Sequence, residues 1–220
     1  MAYVGQAGMG KTTLLAQARR RAAVHGCIVL WARGGEREQR VAFHVVRQLL
    51  QPLFASLSEE ERARVLGSWA NVVGPALGLV SPDAGLSPDH QGVIDGLDWV
   101  VTDIAVRRAP VVLIVDDAHW ADSESLEWLT GFTARAEELP PLVAVAYRPD
   151  ELPPVTEAFR RLAKRHGSRP YELAPLTVEA VGLLLRDKLG EGVDEAFCRE
   201  CWSITEGNPF ETVELAIKIL

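Results

Sequence analysis

Three glycines followed by a lysine and two threonines, close to the first residue, constrain the fold of this chain more than any other feature. Residues 5–13 read GQAGMGKTT. Glycine lets the backbone adopt conformations in which several N–H groups converge on one anion. Apolar residues then recur at helical spacing from Leu14 onward, which adds a helix N-terminus and its dipole. The pattern predicts a P-loop, a turn that holds phosphate groups between a strand and a helix.

The side chains of this loop have separate predicted roles. Lys11 would set a mobile positive charge against the β- and γ-phosphates, and Thr12 would offer a hydroxyl to Mg²⁺. A dinucleotide-binding loop is disfavoured, because Thr13 stands where the motif G-x-G-x-x-G needs its last glycine. The alternative is a glycine-rich turn that precedes a helix and binds nothing. The predicted nucleotide-binding residues of the loop are Gly5, Gln6, Ala7, Gly8, Met9, Gly10, Lys11, Thr12 and Thr13.

A second feature is an apolar strand that ends in two carboxylates. Residues 111–115 read VVLIV, and Asp116 and Asp117 follow them. In an open parallel sheet, ligands bind outside the carboxyl ends of the strands. We therefore predict that Asp116 holds Mg²⁺, directly or through water, and that Asp117 orients or deprotonates the attacking water. The alternative is an acidic pair that only ends a strand before a turn.

Strand and helix patterns alternate over most of the chain and then give way to helices alone. This order predicts an α/β fold, a P-loop NTPase parallel sheet with helices on both faces, over residues 1–175. A small all-helical subdomain would begin within residues 176–220. The predicted strands lie at 27–32, 111–115, 142–147 and 171–173; the predicted helices lie at 11–25, 39–51, 58–71, 93–108, 123–137, 153–166, 177–189, 194–205 and 209–220, with a loop at 74–92.

Charge and composition exclude several classes of protein. The 23 basic and 30 acidic residues give a net charge of −7, so a broadly basic surface for nucleic acid is absent. No apolar run is long enough to span a membrane. The first residues lack a basic region followed by an apolar stretch, so secretion is not indicated. The three cysteines are typical of reduced thiols, and we expect a cytoplasmic protein. Only four residues precede the loop, so we also expect a truncated first strand and an excerpt of a longer chain.

Four motifs occur in an order that resembles a known family. They are GQAGMGKTTLL from Gly5, LIVDDAHWAD from Leu113, YRPD from Tyr147 and EGNPF from Glu206. Together they resemble the STAND class of AAA-like signalling ATPases, and in particular the ATPase core of large LuxR-type, MalT-like bacterial transcriptional regulators. The resemblance covers essentially the whole chain. Family members usually carry a further segment before the first strand that helps to bracket the adenine, and these residues do not include it.

The resemblance implies a slow regulatory ATPase that switches between ADP and ATP states. ADP would hold a closed monomer, whereas ATP with an inducer would open it for self-association. DNA would be bound only by a domain outside this segment. The resemblance also implies that Arg148 reads the γ-phosphate as a catalytic sensor, alongside Lys11 and Asp117; the alternative is a solvent-facing arginine before a turn. It further implies that the nucleotide base and sugar contact Gly207, Asn208 and Pro209. The structural alternative for these three residues is a tight turn between two helices.

Other features have simpler interpretations. The resemblance places His119 and Trp120 after the acidic pair, and packing with a supporting hydrogen bond is the expected role. Cys198 and Cys201 lack the partners of a zinc site, so ordinary thiols are expected. A solvated helix face is favoured over an arginine finger for a basic cluster formed by Arg160, Arg161, Lys164, Arg165 and Arg169.

Two other classes of function stay open. A phosphotransferase that moves the γ-phosphate of ATP to a small substrate would share the loop and the acidic strand. A non-hydrolysing interaction module would keep the fold and lose the nucleotide. A GTPase is disfavoured, because the sequence has no N-K-x-D motif to read guanine.

Overall fold

The structure, a computed structural model, describes residues 1–80, 89–135, 141–149 and 170–219. The predicted helix at 153–166 and the basic cluster from Arg160 to Arg169 lie outside these residues.

A parallel sheet forms the centre of the fold. Five strands of the described residues pair in the order β2-β3-β4-β1-β5, and each pairing is parallel. Every residue of β3 is buried, as expected for a continuous apolar run covered on both faces. The strands are β1 (Ala2–Val4), β2 (Ile28–Arg33), β3 (Val111–Asp116), β4 (Leu142–Tyr147) and β5 (Tyr171–Glu172).

Helices cover both faces of this sheet. On one face, Leu15 of the first helix packs with Val112 and Ile114 of β3. On the other face, Leu113 and Val115 join a larger core with residues of the second, fifth and sixth helices. The predicted α/β parallel sheet is therefore confirmed. The helices before the C-terminal group are α1 (Lys11–Val24), α2 (His44–Ser56), α3 (Glu59–Leu66), α4 (Ala70–Ala76), α5 (His90–Arg107) and α6 (Ser123–Arg135).

The boundaries of α2 differ from the prediction of 39–51. The helix begins at His44 and continues through Pro52 to Ser56. Proline in a helix interior removes a backbone hydrogen bond, but here the burial of Leu50 and Phe54 favours helical backbone on both sides of Pro52. Tertiary packing thus outweighs the local signal to stop.

The predicted helix at 58–71 is split into two. The capping box of α3 is confirmed, since Ser58 Oγ accepts a hydrogen bond from Glu61 N and Glu61 Oε2 accepts one from Ser58 N. The helix then ends at Gly67, whose φ of 51° lies in the left-handed region. The predicted loop at 74–92 is shorter at both ends, because α4 reaches Ala76 and α5 begins at His90.

Three helices near the C-terminus, here called the lid, pack around a small core of their own. They are α7 (Val178–Leu189), α8 (Glu195–Thr205) and α9 (Pro209–Ile219). Val181, Leu185 and Ala216 are fully buried between them, and Cys198 and Cys201 join this core as free thiols. Burial raises the pKa of Cys201, which disfavours the reactive thiolate. Within the described residues, no helix combines the length and the apolar character that crossing a bilayer would require.

Candidate nucleotide-binding site

The P-loop connects β1 to α1 at the carboxyl edge of the sheet. Gly8 and Gly10 have φ angles of 78° and 82°, a conformation that side chains disfavour. Gly10 occupies the N-cap position of α1 and has no side chain to cap the first turn. The N–H groups of that turn are therefore arranged as in a helix terminus that accepts an anion.

The ammonium group of Lys11 folds back over the loop. Its Nζ donates hydrogen bonds to the carbonyl oxygens of Gly5 at 2.7 Å and Gln6 at 2.8 Å. The residue is only 7% exposed, so the positive charge is held against the loop backbone. A phosphate group that enters the loop would offer this charge a stronger, anionic acceptor.

Thr12 in the first turn of α1 meets Asp116 at the end of β3, although β4 lies between β3 and β1, the strand that leads into the P-loop. Thr12 Oγ1 donates a 2.7 Å hydrogen bond to Asp116 Oδ2, and the carboxyl group is fully buried. Asp116 Oδ1 also accepts a bond from the Asp117 N–H. A hydroxyl and a carboxylate are ligands that suit Mg²⁺, which keeps several waters and takes few protein ligands. Within the described part of the chain, no group of three or more His, Cys, Asp or Glu side chains is placed to hold a metal ion.

The carboxylate of Asp117 pairs with an arginine that the sequence did not single out. Arg33 Nε and Nη2 both donate to Asp117 Oδ2, at 2.9 and 2.7 Å. Arg33 ends β2, which pairs directly with β3, so the two side chains emerge at the same edge. The hydrogen bond and the charge of Asp117 raise the pKa of Arg33. The sequence offered one signal for this pair: Arg33 is a basic residue at the end of a strand that belongs to the same sheet as Asp117.

Two further contacts hold the backbone on both sides of this ion pair. Gln48 accepts a hydrogen bond from the backbone N–H of Arg33 and donates one to its carbonyl oxygen. Gly34 donates to the carbonyl oxygen of Asp116, and a Cβ atom on Gly34 would lie 2.3 Å from the carbonyl oxygen of Asp117. The loop after β2 therefore packs directly against the turn after β3.

Asp122 joins the first turns of two helices. Its Oδ1 accepts a hydrogen bond from Ser125 N in α6 at 2.9 Å, and its Oδ2 accepts one from Val45 N in α2 at 3.0 Å. Val46 N donates to Ser125 Oγ beside it. The carboxyl group is 1% exposed. The cap of α2 therefore comes from a distant residue, which explains why α2 starts later than its local pattern predicts.

We expect Asp122→Ala to lower the free energy of unfolding by about 2 to 4 kcal/mol, because it leaves the N-termini of two helices uncapped in a buried region. Asp122→Asn should cost less, since its amide oxygen still accepts one of the two bonds. Urea denaturation measures both changes. The control is Ser123→Ala at the neighbouring exposed position. Equal stabilities for Asp122→Ala and this control would contradict the assigned role.

His119 and Trp120 form a packed pair in the turn that follows Asp116 and Asp117. Their ring centroids lie 5.3 Å apart, and His119 is 1% exposed. The His119 carbonyl oxygen accepts a hydrogen bond from Gln39 Nε2. These contacts connect the turn after β3 with the loop before α2 and support a packing role.

Arg148 follows β4, the strand between β1 and β3, and is half-buried. This position lies at the edge of the sheet that also carries the P-loop and Asp116. Its role as a γ-phosphate sensor stays a prediction.

The Gly207–Pro209 segment lies directly against the P-loop. Asn208 Nδ2 donates to the carbonyl oxygen of Ala7 at 3.2 Å, and Phe210 N donates to that of Gly8 at 3.2 Å. The segment also forms the predicted tight turn, with Pro209 as the first residue of α9. The base and sugar contact expected here stays a prediction.

Comparisons with known proteins show the fold and the family of the chain. The chain resembles Cdc6p from Pyrobaculum aerophilum, with a TM-score of 0.53 and 19% identity over 98% of this chain and 52% of that chain. It also resembles Drosophila ORC in a structure bound to DNA, with a TM-score of 0.50 and 17% identity over 99% and 53% of the two chains. The chain thus spans about half the length of these proteins. No curated protein sequence matches it. Residues 4–145 match the AAA ATPase domain, and the chain belongs to that family.

Proposed function

We propose that the chain is the ATP-binding switch domain of a larger signalling protein and that it hydrolyses ATP slowly. The observation that carries the proposal is that the P-loop contacts the acidic strand and the lid at once. Thr12 bonds Asp116 on one side, and Ala7 accepts a hydrogen bond from Asn208 on the other. Phosphates in this loop would therefore act on both parts of the domain.

The side chains around the loop can each serve ATP binding. Lys11 would exchange the backbone carbonyls that it now contacts for phosphate oxygens. Thr12 and Asp116 would hold Mg²⁺, which offsets the charge of the phosphates and aligns them when it is bound. Arg148 would read the γ-phosphate, since its planar guanidinium can donate two parallel hydrogen bonds to phosphate oxygens.

Hydrolysis would depend on Asp117. Its carboxylate follows the magnesium-binding position directly and can accept a proton from the attacking water. The ion pair with Arg33 holds this carboxylate toward β2. A base that must first leave such a pair is poorly prepared to act, which supports a slow ATPase rather than a fast one.

The larger role follows from the resemblance to STAND regulators of the LuxR type. The GKTT, DDAHWAD, YRPD and EGNPF segments support it. ADP would keep the domain closed, and ATP would favour self-association in the cytoplasm. DNA would be bound by a domain outside these residues, in agreement with the acidic net charge of −7.

Labelled ATP tests the proposal. The purified protein is incubated with ATP labelled at the α- or γ-phosphate, separated from free nucleotide and denatured, and the released label is identified. We expect ADP or ATP to be retained, and phosphate to be released more slowly than about once per second, the lower end of ordinary enzyme turnover. Lys11→Ala is the matched negative control.

Two results would contradict the switch. Transfer of the γ-label to an added metabolite would identify a phosphotransferase. The absence of bound nucleotide from a folded wild-type protein would identify an interaction module that has lost its ligand.

A further inference from the structure

The turn between α8 and α9 holds the side chain of Asn208 in a fixed orientation. Glu206 and Gly207 both have left-handed backbone conformations, with φ angles of 48° and 75°. Asn208 Oδ1 then accepts hydrogen bonds from Phe210 N at 3.0 Å and Glu211 N at 3.3 Å. Asn208 therefore caps α9, and its amide nitrogen points away from the helix.

The same turn is tied to the strands beside the P-loop. Leu176 N donates a 2.8 Å hydrogen bond to the carbonyl oxygen of Gly207. The space is tight, because a Cβ atom on Gly207 would lie 2.3 Å from the carbonyl oxygen of Leu176. Three residues earlier, Leu173 N donates to the carbonyl oxygen of Val4, the last residue of β1. Short connections thus hold the turn close to the beginning of the P-loop.

Two consecutive carbonyl groups of the P-loop accept hydrogen bonds from this turn. Ala7 accepts from Asn208 Nδ2 and Gly8 accepts from Phe210 N, each at 3.2 Å. The approach is close enough that a Cβ atom on Gly8 would lie 2.5 Å from Asn208 Oδ1. The lid therefore contacts the part of the loop that lies between its glycines.

The geometry of the peptide bond gives this contact a consequence for phosphate binding. A trans peptide is planar, and its C=O and N–H groups point in opposite directions. The Ala7 carbonyl shares a peptide with the N–H of Gly8, and the Gly8 carbonyl shares one with the N–H of Met9. Carbonyls that are held toward the lid therefore direct these two N–H groups away from it, toward the inside of the loop.

We propose that Asn208 is a positioning residue for phosphate: through the Ala7 carbonyl, its amide orients the N–H group of Gly8 toward the phosphates from the side of the loop that faces the lid. The N–H of Phe210 in the same segment holds the Gly8 carbonyl and so orients the N–H group of Met9. This role rests on the proposed nucleotide binding and differs from a contact with the base or sugar. A phosphate that accepts from these N–H groups polarises the same peptides and strengthens their carbonyls as acceptors. Because coupling is reciprocal, bound phosphate tightens the lid by the same factor as the lid tightens phosphate binding.

Substitution of Asn208 by serine tests this coupling. Serine caps a helix about as well as asparagine, but it has no amide to donate to Ala7. We expect Asn208→Ser to keep the melting temperature of the wild type and to weaken pyrophosphate binding about two- to tenfold, the range for one hydrogen bond. ADP and GDP should lose affinity by the same factor, because the contact that is lost concerns only their phosphates. Pyrophosphate has no base or sugar and therefore measures this loss alone. Isothermal titration calorimetry measures all three.

Two further variants complete the experiment. Asn208→Asp also keeps the cap and lacks the amide donor, so it should bind pyrophosphate at least as weakly as the serine variant. Asp194 caps α8, since its Oδ1 accepts a hydrogen bond from Phe197 N within the lid. Asp194→Ser changes this cap and should leave phosphate binding unchanged.

The outcomes separate this proposal from the proposed function. Wild-type affinity for pyrophosphate in Asn208→Ser, or a loss confined to ADP, would overturn the positioning role and leave nucleotide binding intact. A wild-type protein that binds none of the three ligands would overturn the proposed function and the positioning role together.

Discussion

Replacement of Lys11 by alanine is expected to weaken the binding of ATP and ADP by about 100-fold or more. The ammonium group is 7% exposed and lies over the loop, where it donates two hydrogen bonds to carbonyl oxygens. Against phosphate the ammonium donates to an anionic acceptor, and each such hydrogen bond to a charged group is worth about 1.5 to 3 kcal/mol. Two of them at the lower limit give about 3 kcal/mol, or roughly 100-fold in affinity.

Calorimetric titration of both nucleotides measures this loss. Lys188→Ala is the matched control, because Lys188 lies in the lid and pairs with its neighbour Asp187. Lys11→Arg is a more demanding comparison. It keeps the charge, but the wide guanidinium replaces a compact ammonium in a space bounded by the loop backbone. An affinity of Lys11→Ala within about threefold of the wild type would exclude phosphate binding by this loop.

The loop and the acidic strand could be predicted because their chemistry is local. Glycine spacing, a helix pattern and an apolar run ending in carboxylates can all be read within a few residues. The bond between Thr12 and Asp116 joins two features that were each recognised separately. The parallel sheet could be predicted in the same way, since alternating strand and helix patterns are compatible with few fold architectures.

The contacts of the site that could not be predicted join residues far apart in sequence, and each involves at least one side chain. Arg33 and Asp117 are 84 positions apart, Val45 and Asp122 are 77 apart, and Ala7 and Asn208 are 201 apart. The residue type restricts what a side chain can bond, but only the packed fold selects its partner. The helix that passes through Pro52 has the same origin, because buried neighbours outweighed a local signal.

Replacement of Asp117 by asparagine is expected to lower the rate of ATP hydrolysis by about 100-fold or more, the lower limit for loss of a general base. Asparagine cannot take the proton of the attacking water. The substitution should leave the fold intact, because Asp117 has a φ of 46° and asparagine tolerates this left-handed conformation. Its amide oxygen can also still accept from Arg33. Phosphate release gives the rate, and ADP affinity should stay within about threefold of the wild type.

Arg33→Ala tests whether the ion pair with Arg33 limits the action of Asp117 as a base. Removing the guanidinium frees the carboxylate, so the wild-type rate should rise. The rise should be small, because the Arg33 side chain is 64% exposed and exposed ion pairs are worth about 0.2 to 1 kcal/mol, or up to about fivefold in rate. In the Asp117→Asn background the same change should have no effect, since no base remains to be freed. Normal turnover in Asp117→Asn would remove Asp117 from the mechanism, and a rate increase by Arg33→Ala in both backgrounds would show that the arginine acts through a different group.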